Sequence, residues 1–345
     1  MGGVDVDDSG WEAVSLPGPL PARLRGGQAL LCRKVLPAGA VVGARRWLVI
    51  EQPHCDAYVW VDGAFVGYAQ RHAAAHSFEV AGTGAGGHLV GLELEGAPDD
   101  AAHSPTAGWT WGDLRMETTG AVRVVDWRVL VVDADAERAT VRVSAALDSA
   151  GTHRTTLRTA LVIRSDAGAA AGPAGAAAEP VPAAEPVPAA SHDQQTVLAR
   201  GRNELEWTLT VDRPALWWPR ALGDQPLYDV AVSVEVDGRL SHRVERTVGL
   251  RSTGLRPLSP LSPASVGFSV AAVNDETLFL KGATLTAAAF ADEPDLTTAC
   301  RRDVALAVEA GLDLLAVRGA VAPAALYEEA DRRGLLVCQD VAAGA

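Results

Sequence analysis

Two histidines and a run of glycines have the residue types and the spacing of known chemical sites. His72 and His76 are four residues apart, which suits a metal ion only if both lie on a helix with a third ligand nearby. Residues 82–87 fit G-x-G-x-x-G, a nucleotide-binding pattern that needs a helix directly afterwards. Alanines in a loop-like segment separate the histidines, and a strand-like segment follows the glycines. We therefore predict no metal and no cofactor, and we expect a hairpin loop at the glycines.

Clustered tryptophans are the next candidates for a binding role. All nine tryptophans precede Pro219, and four of them cluster in sequence as two close pairs: Trp109, Trp111, Trp217 and Trp218. Sugar rings pack their C–H faces on aromatic planes, but tryptophan also belongs in the cores of β-sandwiches. Both interpretations remain open at this point.

The composition indicates a soluble protein with an acidic surface. The chain has 30 Lys and Arg against 43 Asp and Glu, a formal net charge of −13, and no basic stripe, so we expect no nucleic-acid partner. No run of eighteen residues is apolar enough to cross a bilayer, and the acidic first ten residues do not resemble a secretory signal. Cys32, Cys55, Cys300 and Cys338 are far apart and form no C-x-x-C pair. We predict a cytoplasmic protein with free thiols and no membrane partner.

Strand patterns dominate the first two thirds of the chain. Short apolar or alternating segments predict a β-sandwich over residues 1–118, with a two-residue hairpin turn at Asp62-Gly63. A second set of strands predicts an immunoglobulin-like sandwich over residues 119–253. The Ala/Pro/Gly tract at residues 166–195 has few large apolar groups to offset its ordering entropy, so we expect a disordered insertion there.

The hydrophobic period changes after residue 253. A predicted buried strand "TLFLKGA" is followed by a helix from Leu296 to Ala310, a strand "LDLLAV", a short helix opened by Pro323 and a strand "LLVCQD". Strands and helices that alternate with short loops are typical of a parallel α/β unit. We therefore predict an α/β segment over residues 254–345.

In order along the chain, several segments resemble glycoside hydrolase family 2, and its β-mannosidase-like branch most closely. "DAYVWVDGAFVG" looks like a strand pair of the family's sugar-binding jelly roll, and "GWTWGD" is similar to the mannosidase motif G-W-D-W-G-P. "ALWWPRALGDQPLY" resembles L-W-W-P-x-G-x-G-x-Q-P-L-Y, and "TVGLRS" resembles the I-G-F-R that ends the immunoglobulin-like domain. "LFLKGA", "LLAVRG" and "LYEEADRRGLLVCQD" look like the opening of a (β/α)8 barrel. The resemblance implies a multidomain, mainly β protein that ends in an incomplete barrel of about three strands.

The resemblance also implies hydrolysis of O-glycosyl bonds in carbohydrate metabolism. A retaining glycosidase needs two carboxylic acids about 5 Å apart, and in this family both are glutamates at the ends of later barrel strands. A barrel takes about 250 residues, whereas 72 residues follow position 273 in this sequence. We therefore expect no catalytic residue in this chain and a pseudoenzyme when it is alone. A carbohydrate ligand and a second chain that completes the barrel are the expected partners.

The barrel segment departs from the family pattern where strands meet the barrel mouth. Thr284, Ala316, Arg318 and Cys338 replace the family's asparagine, arginine, tryptophan and tryptophan, respectively. In the mannosidase-like motif, Thr110 replaces an aspartate. These changes indicate a relaxed site.

Three residues are retained as candidates for substrate binding: Trp109, Trp111 and Asp340. Asp340 is either a ligand of a sugar hydroxyl or a structural acid bonded to neighbouring amides. Glu328, Glu329 and Asp331 are expected on the solvated face of the short helix.

Three functions remain as hypotheses. The chain is the front half of a glycosidase, a non-catalytic module that binds a carbohydrate or a protein, or the product of a decaying gene. The substitutions at the barrel mouth count against the first, and the preserved core pattern counts against the third.

Overall fold

The computed structural model describes residues 6–13, 18–19, 29–37, 44–51, 53, 56–70, 75–81, 87–95, 110–111, 113–164, 188–257, 269–286, 289, 293, 295–318 and 321–340. It divides the chain into two compact units. The first comprises residues 1–121 and 280–345, and the second comprises residues 122–279.

The N-terminal part of the first unit is the predicted β-sandwich. Its strands are β1 (Gly18–Pro19), β2 (Ala29–Leu36), β3 (Arg45–Glu51), β4 (Ala57–Val61), β5 (Ala64–Ala69), β6 (Ala75–Glu79), β7 (His88–Glu95), β8 (Thr110–Trp111) and β9 (Leu114–Thr119). One sheet has the order β2-β7-β4-β5, another has the order β6-β3-β9, and β1 pairs with β8. The inward-facing residues of the two larger sheets form one hydrophobic core, which includes Leu48, Ile50, Val59 and Leu94.

Two loop predictions for this sandwich have different outcomes. Asp62 and Gly63 both have positive φ angles, 51° and 81°, so the tight turn between β4 and β5 is confirmed. The hairpin predicted at residues 82–87 is wrong, because β6 and β7 belong to different sheets. The strand β7 does follow the glycines, as expected. Residues 82–86 themselves, like His72, lie outside the described residues.

The second unit contains the predicted immunoglobulin-like sandwich. Its strands are β10 (Val122–Ala134), β11 (Arg138–Ser149), β12 (His153–Ile163), β13 (Ala190–Leu198), β14 (Gly201–Asp212), β15 (Tyr228–Val236) and β16 (Arg239–Val248). A three-stranded sheet of order β10-β11-β14 and a four-stranded sheet of order β13-β12-β15-β16 enclose a large core. In β15, Val230, Val232 and Val234 are fully buried, as their alternation predicts.

The insertion predicted at residues 166–195 ends earlier than expected. Residues 165–187 lie outside the described residues, whereas Ala190–Leu198 forms β13 and pairs with β12 in unbroken register. The prediction of disorder for residues 190–195 is therefore wrong. The prediction considered only the scarcity of large apolar groups, but β13 is an edge strand that is held by backbone hydrogen bonds to its neighbour.

The predicted buried strand "TLFLKGA" is two separate strands. A small antiparallel sheet in the second unit has the order β17 (Thr253–Pro257), β18 (Ser269–Val273) and β19 (Glu276–Leu278). Asn274 and Asp275, with φ angles of 49° and 69°, reverse the chain so that β19 pairs back onto β18. The next strand starts only at Gly282 and belongs to the first unit. The predicted domain boundary at residues 253 and 254 stays a prediction.

The C-terminal part of the first unit has the predicted parallel α/β arrangement. Its elements are β20 (Gly282–Thr286), α1 (Leu296–Glu309), β21 (Leu314–Arg318), α2 (Ala324–Arg333) and β22 (Leu336–Gln339). The three strands are parallel in the order β20-β21-β22, and the described residues contain no closed barrel. The helices pack on one face of this sheet around Cys300, Val304, Leu315, Val317 and Leu326.

Both helices end at glycines, as their sequences predict. Gly311 and Gly334 have φ angles of 72° and 70°, a conformation that favours glycine. At the start of α1, the carboxylate of Asp295 accepts hydrogen bonds from the backbone and the hydroxyl of Thr298. On α2, the prediction that Glu329 is solvated is wrong. Its side chain is buried and forms ion pairs with Arg332 and Arg333.

Within the part of the chain that the structure describes, no helix is both long enough and apolar enough to span a membrane.

Candidate functional site

The carboxyl ends of β20, β21 and β22 form the candidate active-site edge, because parallel α/β barrels place their chemistry at this end of the strands. Thr286 lies opposite Arg318 in the register of β20 and β21, and Asp340 directly follows β22. At these described strand ends, Asp340 is the carboxylate present. A retaining glycosidase uses two such groups.

Asp340 is held at this edge by its backbone and faces an arginine with its side chain. Its N–H donates to the Val317 carbonyl oxygen at 3.0 Å, and its carbonyl oxygen accepts from the Gln339 side-chain amide at 2.7 Å. Its carboxylate lies 3.6 Å from Nε of Arg318, and both side chains are more than half exposed. An exposed ion pair of this kind contributes at most about 1 kcal/mol. The carboxylate is therefore accessible to a ligand, and its role in sugar binding stays a prediction.

Besides its contact with Asp340, the Gln339 side chain is held by neighbouring elements. Its side-chain oxygen accepts a hydrogen bond of 2.5 Å from the Tyr327 hydroxyl on α2, and its amide nitrogen is 3.5 Å from the Val317 carbonyl oxygen. The glutamine thus joins helix α2 to two strands, which is a structural role.

Three of the sequence departures lie in one row across the sheet. In the parallel register, Thr284 pairs with Ala316 and Ala316 pairs with Cys338. Thr284 and Cys338 are exposed and Ala316 is half-buried, whereas the alternating residues Leu315 and Val317 are buried on the helix side. The face opposite the helices therefore presents small side chains where the family pattern implies an asparagine, an arginine and a tryptophan.

Lys281 lies at the opposite end of the same sheet. Its ammonium group donates to the Gly311 carbonyl oxygen at 2.9 Å and lies 3.9 Å from the Asp313 carboxylate. Its backbone N–H also contacts that carboxylate, at 3.2 Å. These contacts connect β20 to the turn before β21, so Lys281 stabilises the sheet.

Of the tryptophan candidates, Trp217 is a core residue. Trp217 is completely buried, and the Arg251 guanidinium carbon lies 4.1 Å from its ring centre. Its carbonyl oxygen accepts from the Asn274 side-chain amide at 3.0 Å. For Trp217 the core interpretation is confirmed. Trp109 lies outside the described residues, and for Trp111 the structure gives only its place in β8.

The family-like segment around Trp217 is held together by its own motif residues. The Tyr228 hydroxyl accepts a hydrogen bond of 2.9 Å from the Ala215 N–H. The Gln225 side-chain amide donates to the Trp218 carbonyl oxygen at 3.0 Å. These hydrogen bonds join the L-W-W-P segment to the Q-P-L-Y segment and stabilise both.

His76, the described member of the histidine pair, contacts the backbone of Gln70. Nε2 of His76 lies 2.9 Å from the Gln70 nitrogen and 3.0 Å from its oxygen. Cys32, Cys300 and Cys338 are free thiols, and Cys55 lies outside the described residues. Among the residues that the structure describes, no group of three His, Cys, Asp or Glu could hold a metal.

Sequence reasoning missed an aromatic cluster on the first sandwich. Tyr58, Trp60, Phe65 and Tyr68, here called the aromatic face, line the outer side of β4 and β5. Neighbouring ring centres are 5.2 Å apart for Tyr58–Tyr68 and for Trp60–Phe65, and 6.3 Å apart for Tyr58–Phe65. The side chains of Tyr58, Phe65 and Tyr68 remain 37–53% exposed. The available signal was that Tyr58 and Trp60 alternate along one strand and that Phe65 follows them across the tight turn.

Carboxylates lie beside the aromatic face. Glu93 of β7 pairs with Tyr58, and Glu95 accepts a long hydrogen bond of 3.4 Å from the Tyr68 hydroxyl. Burial, together with the nearby carboxylates of Asp56 and Glu95, raises the pKa of Tyr68 to about 12. The tyrosine hydroxyl therefore stays protonated and can donate a hydrogen bond at any physiological pH.

Comparison with known proteins finds one family model and several relatives that are similar to parts of this chain. Residues 122–251 match the family model described as glycosyl hydrolases family 2. An exo-β-D-glucosaminidase of Hypocrea jecorina is 30% identical over 145 residues, which cover 41% of this chain and 14% of that protein. A β-mannosidase B of Emericella nidulans is 40% identical over 50 residues, 14% of this chain and 6% of that protein.

Solved structures share the fold over most of the chain. A β-glucuronidase from glycoside hydrolase family 2 has a TM-score of 0.75 at 14% identity and covers 100% of this chain and 38% of its own. The Amycolatopsis orientalis exo-chitosanase has a TM-score of 0.69 at 21% identity and covers 90% of this chain and 35% of its own. The chain thus spans less than half the length of these proteins.

Proposed function

Residues 122–251 match the glycosyl hydrolases family 2 model. We propose that this chain supplies the non-catalytic front part of a glycosidase of the β-mannosidase-like lineage. Hydrolysis of an O-glycosyl bond requires the remaining barrel strands and their two glutamates, on another chain or further along the same polypeptide. Alone, this chain does not hydrolyse glycosides.

The composition of the strand ends carries this proposal. Asp340 is the carboxylate at the described ends of β20, β21 and β22, and Arg318 lies beside it. Protonation of a leaving group and attack on the anomeric carbon need two carboxyl groups on opposite sides of the scissile bond. A single exposed carboxylate next to a guanidinium does not provide both functions.

The row of Thr284, Ala316 and Cys338 supports the same conclusion. These side chains offer one hydroxyl and one thiol on a face where a sugar would need several hydrogen-bond partners and an aromatic plane. A complementary chain would have to provide those partners.

The substrate class is proposed from the relatives. Proteins named β-mannosidase and exo-β-D-glucosaminidase match the chain, so the completed enzyme would act on a β-mannoside or a β-glucosaminide. The proposed location is the cytoplasm, because the cysteines of the described residues are free thiols.

A second candidate function is a carbohydrate-binding module without any catalytic partner. The aromatic face favours it, because its exposed rings lie in the first sandwich and do not depend on a barrel. It predicts saturable sugar binding together with an absence of turnover.

The test combines an enzymatic assay with sequencing. Purified chain is incubated with aryl β-mannoside and aryl β-glucosaminide, and release of the aryl alcohol is followed; we expect no turnover above the uncatalysed rate. Turnover that persists in Asp340→Asn would contradict the proposal, because the chain would then contain a catalytic pair elsewhere.

Sequencing of the DNA and the transcript beyond codon 345 distinguishes the two candidates. A reading frame with a strand that ends in Asn-Glu and a later strand-end glutamate supports the glycosidase part. If neither the locus nor a partner carries such a frame, the binding module remains as the candidate function.

A further inference from the structure

We propose that the second unit binds one water molecule inside its sandwich, between the side chains of Thr159, His192 and Trp207. These residues lie on β12, β13 and β14. In each, a buried polar atom has no hydrogen-bond partner among the described residues: Oγ1 of the threonine, Nε2 of the histidine and Nε1 of the tryptophan. The inference concerns the second unit alone and does not depend on the proposed function.

The strand register and a ring contact bring the three side chains to one place. Thr159 lies directly opposite His192 in the antiparallel pairing of β12 and β13, so both side chains are on the same face of that sheet. This is the core face, because the alternating neighbours Leu157 and Leu161 belong to the core. The His192 and Trp207 rings are nearly parallel, at 13°, with their centres 6.2 Å apart.

The position of the three residues gives the water a structural role. Strand β13 is the edge of one sheet and β14 is the edge of the other, and the two strands do not pair with each other. A water bound to Thr159, His192 and Trp207 would therefore connect the two sheets by hydrogen bonds at this side of the sandwich.

The hydrogen-bonding capacities of the three groups match a single water molecule. The indole N–H of Trp207 can only donate, the Thr159 hydroxyl can donate or accept, and Nε2 of a neutral histidine with its proton on Nδ1 can only accept. A water molecule accepts from the indole and donates to the imidazole and to the hydroxyl oxygen. All three groups are then paired, and about three hydrogen bonds are typical of a buried water.

A dry cluster would be unfavourable. Thr159 and Trp207 are 1% and 6% exposed, so bulk solvent does not reach them. Buried polar groups without a partner are uncommon because each loses its hydration without compensation. Thr155, on the same face of β12, shows the usual solution: its hydroxyl donates to the Thr196 carbonyl oxygen on β13 at 3.2 Å. Thr159 makes no such bond.

The first measurement detects the water directly by rotating-frame NMR on the full chain. Cross-relaxation is measured between water and the tryptophan indole protons, and Trp207→Phe identifies the Trp207 signal. We expect a cross-peak between the Trp207 indole proton and a long-lived water, with the sign that distinguishes cross-relaxation from chemical exchange.

Trp47 is the matched control for this measurement. Its indole is also buried and donates to the Thr119 hydroxyl at 3.2 Å. Any signal that a threonine hydroxyl relays from bulk water would therefore appear at Trp47 as well. We expect the Trp207 cross-peak to be clearly stronger than the Trp47 cross-peak.

An isosteric substitution gives opposite results for a wet and a dry cluster. Thr159→Val replaces the hydroxyl with a methyl group of similar size. If water binds the hydroxyl, we expect the equilibrium constant for unfolding in urea to rise about three- to tenfold, as for a lost hydrogen bond. An unpartnered hydroxyl predicts that this constant falls. Thr155→Val removes a hydrogen bond within the protein and is the control, with a rise of similar size.

Two results would overturn the inference. One is a Trp207 indole cross-peak that is absent or no stronger than that of Trp47. The other is a Thr159→Val chain that is more stable than the wild type while Thr155→Val is less stable, because the Thr159 hydroxyl would then be unpartnered. The stability test does not use Trp207→Phe, so it decides the question even if that variant fails to fold.

Discussion

The buried Trp217 side chain packs directly against the backbone of Gly249. A Cβ atom at Gly249 would lie 2.7 Å from the buried indole, whereas a Cβ atom at Gly254 would have no heavy atom within 4 Å. We therefore expect Gly249→Ala to lower the free energy of unfolding by about 1–3 kcal/mol, because the indole cannot move without disturbing the core. Gly254→Ala is the control. Equal stability of the two variants in urea titrations would show that the indole has room to shift.

Asp62 makes the first sandwich sensitive to acid. Partial burial acts to raise the pKa of Asp62, but hydrogen bonds with Nδ1 of His88 at 2.7 Å and with the Leu89 N–H at 2.9 Å lower it overall. A lowered folded-state pKa contributes stability above the unfolded value of 3.8, and that contribution is lost as the pH falls through the folded value.

We expect Asp62→Asn to lose this contribution while keeping the turn, because asparagine also accepts positive φ. Calorimetric melting temperatures should differ between wild type and variant at neutral pH, and the difference should shrink as the pH falls below 3.8. A difference that stays constant with pH would mean that the carboxylate charge contributes nothing.

At the scale of elements, the parallel sheet has one face packed against helices and one face exposed. Cys300 of α1 is completely buried, and burial, assisted by the Asp303 carboxylate, raises its pKa to about 12. Cys338 of β22 is exposed on the opposite face. We expect a maleimide to label Cys338 rapidly and Cys300 only on unfolding, because the thiolate is the reactive form.

Peptide mapping by mass spectrometry separates these cysteines from Cys32 and Cys55, and Cys338→Ser is the control. Rapid labelling of Cys300 in the native chain would mean that α1 does not stay packed on the sheet.

The elements were predictable where local signals agreed with tertiary packing. Helices α1 and α2, their terminal glycines and the alternation in β15 could be derived from spacing alone. Strand β13 could not, because its stability comes from hydrogen bonds to β12, a partner that a polar sequence does not reveal. The prediction of one strand for "TLFLKGA" failed because its first residues pair with β18 in the second unit, whereas its last residues pair with β21 in the first.

The candidate site was predictable only in part for the same reason. Sequence reasoning chose Asp340 and the departures at Thr284, Ala316 and Cys338, and the strand register places the last three in one row. It did not find the aromatic face, because the pairing of Tyr58 with Tyr68 across a bulged hairpin is a property of the register.

At the scale of the whole molecule, the exposed sheet face sets a requirement for any catalytic partner. If a chain with the remaining strands completes the barrel, its residues must cover Cys338, which pairs with Ala316 on that face. We expect the complex to label at Cys338 at least about tenfold more slowly than the free chain, because protection follows the population of the open form. Unchanged labelling in a stable complex would place the partner elsewhere.

The pairing of β12 with β13 has a practical consequence for protein engineering. Nine consecutive register pairs, from His153–Leu198 to Leu161–Ala190, fix the two strands independently of the residues that join them. Changing the length of a connection alters its closure free energy slowly, by about 0.6 kcal/mol for each doubling. The Ala/Pro tract between these strands is therefore a permissive position, where a fluorescent reporter or an affinity domain could be inserted while the ladder on either side keeps its register.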